Sequence, residues 1–185
     1  MTVSLVAAGC GLLYALYRAY YGLGGTLGMI GTPASRADWR LINLVGAVVV
    51  IAIGLLPVVM LPLWRRGRAR RGLLALCWLI AVYFVMHALI EDTQRVLSLA
   101  GLLQIRYPAA QWLTVDSRAA DIQDLAFNES FFLAFGFLWA ALAWLRLGPG
   151  PARRKWTGTA LAAIAALTAA GLLSAFGVIG RLIIG

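Results

Sequence analysis

Five apolar stretches decide what this chain can become, because each is about as long as the ~20 residues a helix needs to cross a ~30 Å hydrocarbon layer. They run over residues 3–23, 41–63, 72–90, 125–145 and 157–179. Hydrophobic residues fill 62% of the 185 positions and charged ones only 12%, more apolar sequence than a soluble domain needs. Backbone amides find no water partners in lipid, so these spans are expected to be helices. Period-2 alternation is absent, which argues against a membrane barrel. The expectation is therefore an all-α polytopic integral membrane bundle, one domain of five transmembrane helices with a structured outer connection over 92–124. The N-terminus has no basic n-region and no evident A-x-A-like cleavage site, so it reads as a first span and not as a signal peptide.

The formal charge of +9 is concentrated. Arg65, Arg66, Arg68, Arg70 and Arg71 share one short connection, and Arg146, Arg153, Arg154 and Lys155 follow the fourth span. Both clusters sit where positive-inside charges belong, facing the cytoplasm and anionic headgroups, so nucleic acid is not the expected partner. With five spans, the N-terminus lies inside and the C-terminus outside. Fifteen arginines against one lysine suggest a GC-rich bacterial genome, hence a bacterial cytoplasmic membrane. Cys10 and Cys77 lie inside spans without a C-x-x-C, which favours free apolar thiols over redox or zinc roles.

Gly22, Gly24, Gly25 and Gly28 close the first span without a dinucleotide fingerprint and suggest a close helix contact or a bend. Gly31, Thr32 and Pro33 mark a turn. Pro57 is placed to kink the second span, and Pro62 lies near its cytoplasmic end. Beyond His87, polar residues recur at Glu91, Gln94, Arg95 and Ser98 on one helical face, so the third helix is expected to outrun the membrane until Tyr107-Pro108 breaks it. Asp116 or Ser117 is the expected cap of the next helix, and the outer connection is a candidate lid. The fifth span, rich in Ala and Gly, reads as a packing helix.

Six of the seven carboxylates fall between Glu91 and Glu129, and the single histidine, His87, borders that window. Ionisable groups at membrane depth cost free energy and point to function. At ~1.5 Å per residue, Arg18, Asn43, His87, Glu91, Asn128 and Glu129 fall in the outer half of the bundle, from four different helices. Each has a plainer reading. His87 reads as a packing histidine, Glu91 and Arg95 as an i,i+4 surface pair, and Arg18 as a snorkelling cation. Asp92, Asp116, Asp121 and Asp124 read as solvated or capping groups. Glu129, among Phe127, Phe131 and Phe132, resists such a reading: it should pair with a cation or stay protonated.

Leu76-Cys77-Trp78, then Met86-His87-Ala88-Leu89-Ile90-Glu91, then Asp116-Ser117-Arg118, Glu129 and Leu138-Trp139 form an ordered set. This set resembles the emopamil-binding sterol isomerases, whose helix with L-C-W and H-x-x-x-E is followed by D-S-R and a helix bearing a second glutamate. The resemblance covers about residues 75–145, and each spacing differs by about one residue. It implies an intramembrane double-bond isomerase fold in which His87, Glu91 and Glu129 deliver and remove protons around a carbocation. That family's last helix supplies an asparagine and a tryptophan. The fifth span has neither and corresponds to the preceding helix, and Tyr17, Arg18, Tyr20 and Tyr21 of the first span are candidates for the vacant place.

Such chemistry needs one proton in and one out, whether the product is an isomer or a cyclised polyene. Aromatic faces would hold the cation, with Trp78, Tyr83, Phe84, Phe127, Phe131 and the Tyr20–Tyr21 pair as candidates. Arg18, Asn43 and Asn128 complete the candidate substrate contacts. One histidine and scattered acids make a poor zinc site, and no D-D-x-x-D motif is present, so neither metal nor cofactor is expected. The reading is a membrane-embedded isomerase or cyclase of an isoprenoid or sterol-like lipid. Two alternatives stay open: a binding or proton-coupled transport protein for a cationic amphiphile, and a non-catalytic accessory subunit.

Overall fold

In a computed structural model, described for residues 1–179, the chain forms helices α1 (Thr2–Gly22), α2 (Arg36–Val59), α3 (Gly67–Leu99), α4 (Ser117–Gln123), α5 (Glu129–Arg146) and α6 (Pro151–Ala175). Two short strands, β1 (Gly31–Pro33) and β2 (Trp112–Val115), join them. A π turn over Asp124–Asn128 links α4 to α5, so Ser117–Arg146 is one continuous helix. Counted that way, five helices are long and apolar enough to cross a membrane.

Local chemistry sets the ends. Ser35 Oγ accepts from the Asp38 N–H at 3.2 Å and starts α2, and Asp116 Oδ1 accepts from the Ala119 N–H at 3.0 Å and starts α4. The fourth long helix therefore begins at Ser117 with Asp116 as its cap, as the sequence suggests, and the apolar span expected from 125 is its later part. The third stops at Leu99 instead of running to Tyr107-Pro108. Gly101 takes φ +74°, and the Leu102 N–H turns back to the Leu97 carbonyl at 2.8 Å, a left-handed helix termination that glycine permits. α2 passes through the buried Pro57, ends at Val59, and gives way to a 3-10 turn over Leu63–Arg65.

Packing runs in the order α2, α1, α5, α3, α6, an open arc in which α2 and α3 scarcely touch. Small residues set the seams. A Cβ on Gly11 would lie 2.7 Å from the Gly54 Cα, so α1 and α2 cross backbone to backbone. A Cβ on Gly136 would lie 2.8 Å from Val85 Cγ2, which draws α5 onto α3. Met60, Trp64, Cys77, Phe84, Phe135 and Trp139 fill the common core. Half of the most apolar window of α3 is buried against 11% of that of α6, so α3 is the central helix and α6 a peripheral one. Trp156 Nε1 donates to the Leu74 carbonyl, which fixes α6 to α3.

The all-α expectation needs one correction. Residues 31–33, expected as a turn, form a strand that pairs antiparallel with β2, Gly31 opposite Val115 and Thr32 opposite Thr114. The backbones come so close that a Cβ on Gly31 would collide with the Thr114 carbonyl. Pro33, which has no N–H, sits where the register slips. Trp39 and Trp112 meet edge to face at 4.8 Å beneath this ribbon, tying the connection between α3 and α4 to the top of α2. At the other end of the bundle, Arg70 donates to the Arg146 carbonyl at 2.6 Å. Arg153 donates to the Leu147 carbonyl and lies 3.8 Å from the Trp144 ring centre, so basic side chains cap the end of α5.

Candidate functional site

His87 and Glu129 face each other across the α3–α5 seam, with His87 Nε2 3.8 Å from Glu129 Oε2. Glu129 is 4% exposed, and its Oε2 has no hydrogen-bond partner. The histidine ring is held by aromatic neighbours. Tyr83, one turn earlier on α3, lies nearly parallel at 6.0 Å, and Phe132 of α5 meets it edge-on at 5.1 Å. Phe84 stacks on Phe132 at 5.5 Å. An imidazole and a carboxyl thus share a contact that is too long for a hydrogen bond and short enough to become one after a small side-chain movement.

One turn above lies the strongest polar cluster of the molecule. Arg95 Nη2 lies 3.3 Å from Glu91 Oε2 and 3.0 Å from Asp124 Oδ2, and Nη1 lies 3.3 Å from Asp121 Oδ1. Nη1 also donates to the Tyr107 hydroxyl at 3.1 Å, and Ser98 Oγ donates to Asp121 Oδ2 at 2.6 Å. Glu91 and Arg95 are therefore part of an α3–α4 lock and not an isolated surface pair. Asp121 and Asp124, read from the sequence as solvated or capping groups, are its acidic half, and Asp121 is 2% exposed. Burial pushes the Tyr107 phenol up to about 12, against the pull of the Arg95 guanidinium. The signal for this cluster was present in the sequence: Asp121, Asp124 and Asn128 recur at three and four residues, one helical face.

The π turn sets this face. The Glu129 N–H bonds to the Asp124 carbonyl, five residues back, and Ser130 Oγ donates to the Leu125 carbonyl at 2.7 Å. The extra residue shifts α5 by ~100° relative to α4, and π turns of this kind recur at functional sites. Asn128 is fixed between helices. Its Nδ2 donates to Asp124 at 2.6 Å, and its Oδ1 accepts from the Tyr14 hydroxyl of α1 at 3.1 Å.

Two chambers flank this polar layer. The lower one, about 460 Å³, is walled by Tyr83, Phe84, His87, Glu91, Glu129 and Phe132 together with Gly46, Val49, Val50 and Ile53 of α2. Its side between α2 and α3 is not closed by helix packing. The upper one, about 360 Å³, lies under the ribbon and is lined by Tyr17, Tyr21, Trp39, Asn43, Arg106, Tyr107 and Trp112. Arg18, Arg95, Asp124 and Asn128 line both.

Of the residues singled out in the sequence, His87, Glu91, Glu129, Arg18, Tyr83, Phe84 and Asn128 meet in the lower chamber. Tyr21 and Asn43 join Arg18 and Asn128 in the upper one. Four lie elsewhere. Phe127 is exposed and packs on Tyr17 of α1, ring centres 4.5 Å apart. The Tyr20 hydroxyl accepts from the Leu27 N–H in the loop after α1. Phe131 stacks on Tyr14 at 4.0 Å in the α1–α5 seam. Trp78 donates to Thr159 of α6 at 3.2 Å. Tyr14, Trp39, Arg106, Tyr107, Asp121 and Asp124 join the two chambers or the lock between them. Among the described residues no three His, Cys, Asp or Glu side chains are grouped to hold a metal ion. Neither a protein-family model, nor a curated protein, nor a solved structure matches the chain.

Proposed function

We propose that the chain is an integral membrane protein whose lower chamber isomerises or cyclises an isoprenoid or sterol-like lipid by protonation and deprotonation. All five long helices span the bilayer. The basic ends at Arg65–Arg66 and Arg153–Arg154 lie in the cytoplasm of a bacterial cell, the N-terminus inside and the ribbon outside. The observation that carries the reading is the buried, hydrogen-bond-free Glu129 Oε2 beside His87 Nε2, in an aromatic chamber that α2 and α3 do not close. Burying a carboxyl without a partner is costly and is retained where it does chemistry.

In this mechanism the Glu129 carboxyl gives its proton to one alkene carbon and becomes a carboxylate. The neighbouring carbon becomes the cation, held by the faces of Tyr83, Phe84 and Phe132. Neutral His87 then takes a proton from a carbon next to the cation, and the double bond forms in its new place. Loss of that proton from His87 to water and uptake of another by the Glu129 carboxylate restore both groups. Glu91, a turn away and anchored to Arg95, stabilises the transient imidazolium.

The purified protein, incubated in deuterated water with isoprenoid or sterol-like lipids, should exchange one carbon-bound hydrogen for deuterium as the double bond moves. Glu129→Gln should stop this and leave a folded helical protein. A fully active Glu129→Gln would refute the assignment. Saturable lipid binding with no turnover would make the chamber a carrier's site.

A further inference from the structure

The two chambers differ in their ionisable groups and share a boundary. The lower wall carries Glu91, Asp124 and Glu129 against Arg18 and Arg95. The upper wall carries Arg18, Arg95 and Arg106 against Asp124 alone. Glu91 and Glu129 thus belong to the lower chamber and Arg106 to the upper, with Arg18, Arg95 and Asp124 at the boundary a ligand would cross.

These guanidinium groups are not equivalent. Arg95 is committed to three carboxylates. Arg18, inside α1, has no carboxylate within 4 Å and no hydrogen bond among the described residues. It does not snorkel away from the bundle. Its guanidinium lies on Gly46 of α2, where a Cβ would come within 3.0 Å of Nε and Nη2. Arg18 is half-buried, and it lines both chambers, where an anion can reach its guanidinium. Two further buried atoms of the upper chamber lack partners: Trp39 Nε1, a donor, and Asn43 Oδ1, an acceptor. Arg106 supplies a second cation at the exposed rim.

We infer that the paired chambers take a single amphiphile end to end, its terpenoid body in the lower chamber and an oxyanion head, carboxylate or phosphate monoester, on Arg18 in the upper one. The proposal rests on the acid–base reading for the lower end and deepens it by naming the substrate class. A planar guanidinium with several free N–H groups suits such a head. Fixing the head at Arg18 also fixes which carbon of the body rests between Glu129 and His87, so the head sets the position of the double-bond shift.

The test is equilibrium binding of four radiolabelled probes with one tail, farnesyl phosphate, farnesoic acid, farnesol and farnesylamine, to the full chain in lipid nanodiscs at low salt. Both anions should bind wild type about tenfold more tightly than farnesol, and the amine no better than the alcohol. The tighter anion identifies the head as phosphate or carboxylate. Arg18→Gln should cut the anion preference to about twofold or less while farnesol affinity stays within about twofold, and Arg18→Lys should keep part of the preference. Equal binding of alcohol and anions to wild type overturns the proposal without any variant. Full anion preference in a folded Arg18→Gln does so too. An Arg18-dependent preference in a protein that turns over none of the probes leaves the head site standing and removes the catalytic reading. Glu129-dependent turnover with no anion preference does the reverse.

Discussion

Arg95→Gln tests whether the polar layer between the chambers holds the bundle together. The substitution removes one cation from among three carboxylates at 3.0–3.3 Å. The arginine side chain is 13% exposed and that of Asp121 3%, so water cannot replace the lost partner at Asp121. Breaking a buried pair costs ~3–5 kcal/mol because the surviving charge is stranded. The lower end applies here, since Asp121 keeps its hydrogen bond from Ser98 and Asp124 keeps the one from Asn128. Glu91, with 28% of its side chain exposed, adds little. A loss of ~3 kcal/mol in a chain of this size corresponds to roughly 6–12 °C in melting temperature. The assay is thermal unfolding in detergent followed by circular dichroism. Adding Asp121→Asn to Arg95→Gln should recover about 1 kcal/mol or more relative to the sum of the single effects, because the two side chains share one interaction. Arg95→Gln melting with wild type, or strict additivity of the pair, would show that the cluster contributes no net stability and that the α3–α4 lock is not one.

Gly54→Val should destabilise the fold by ~1–3 kcal/mol by prising α1 from α2, since even a Cβ there lies 3.1 Å from the Gly11 Cα. Gly158→Ala, on α6 with open space around it, should instead melt at or above the wild-type temperature, and a loss there would contradict the open packing of that face. The Tyr107 phenol, held up to about 12 in the folded protein, should ionise above its ordinary ~10. Its share of stability is then complete below pH ~10 and falls as pH rises toward 12, because the unfolded chain loses that proton first. Phenolate absorbance of wild type minus Tyr107→Phe reports this directly, and a difference centred at the ordinary value would show that the phenol is not enclosed.

Much of the architecture was legible because lipid-length apolar runs admit few alternatives. The ends were less so. The cap at Asp116 was legible, but the burial of Asp121 and Asp124 was not, because composition cannot separate a helical turn carrying buried acids from a solvated one. The β ribbon was missed because Gly31-Thr32-Pro33 carries turn-forming residues, and its pairing partner lies some eighty positions away. His87, Glu91 and Glu129 could be picked out singly from the price of charge in an apolar chain. Their common depth could be read from helix rise as well, but not which way each side chain points, since that depends on how α2, α3 and α5 are rotated about their axes. Arg18 shows the same limit. A lone arginine near a helix end reads as a snorkelling side chain, and only the absent side chain at Gly46 reveals that it turns inward.

That rotation has an identifiable cause, and removing it gives the most direct test of how fold and site are coupled. The π turn over Asp124–Asn128 inserts one residue between the acids that bind Arg95 and the acid that faces His87. In an unbroken α-helix the two groups would be ~100° out of their present relation, so Arg95 and His87, fixed on one face of α3, could not both be met. Deleting the exposed Ala126 should convert the turn to regular helix at little packing cost. Either the Arg95 lock or the His87–Glu129 contact must then be lost. The deletion variant should keep its helical circular dichroism and show one of two outcomes: wild-type turnover with the stability loss seen for Arg95→Gln, or wild-type melting with no turnover. Ala126→Gly, which keeps the residue count, should retain both properties, less ~1 kcal/mol of helix propensity. A deletion variant that matched wild type in melting and in turnover together would mean that the π turn does not set the register between the lock and the acid–base pair.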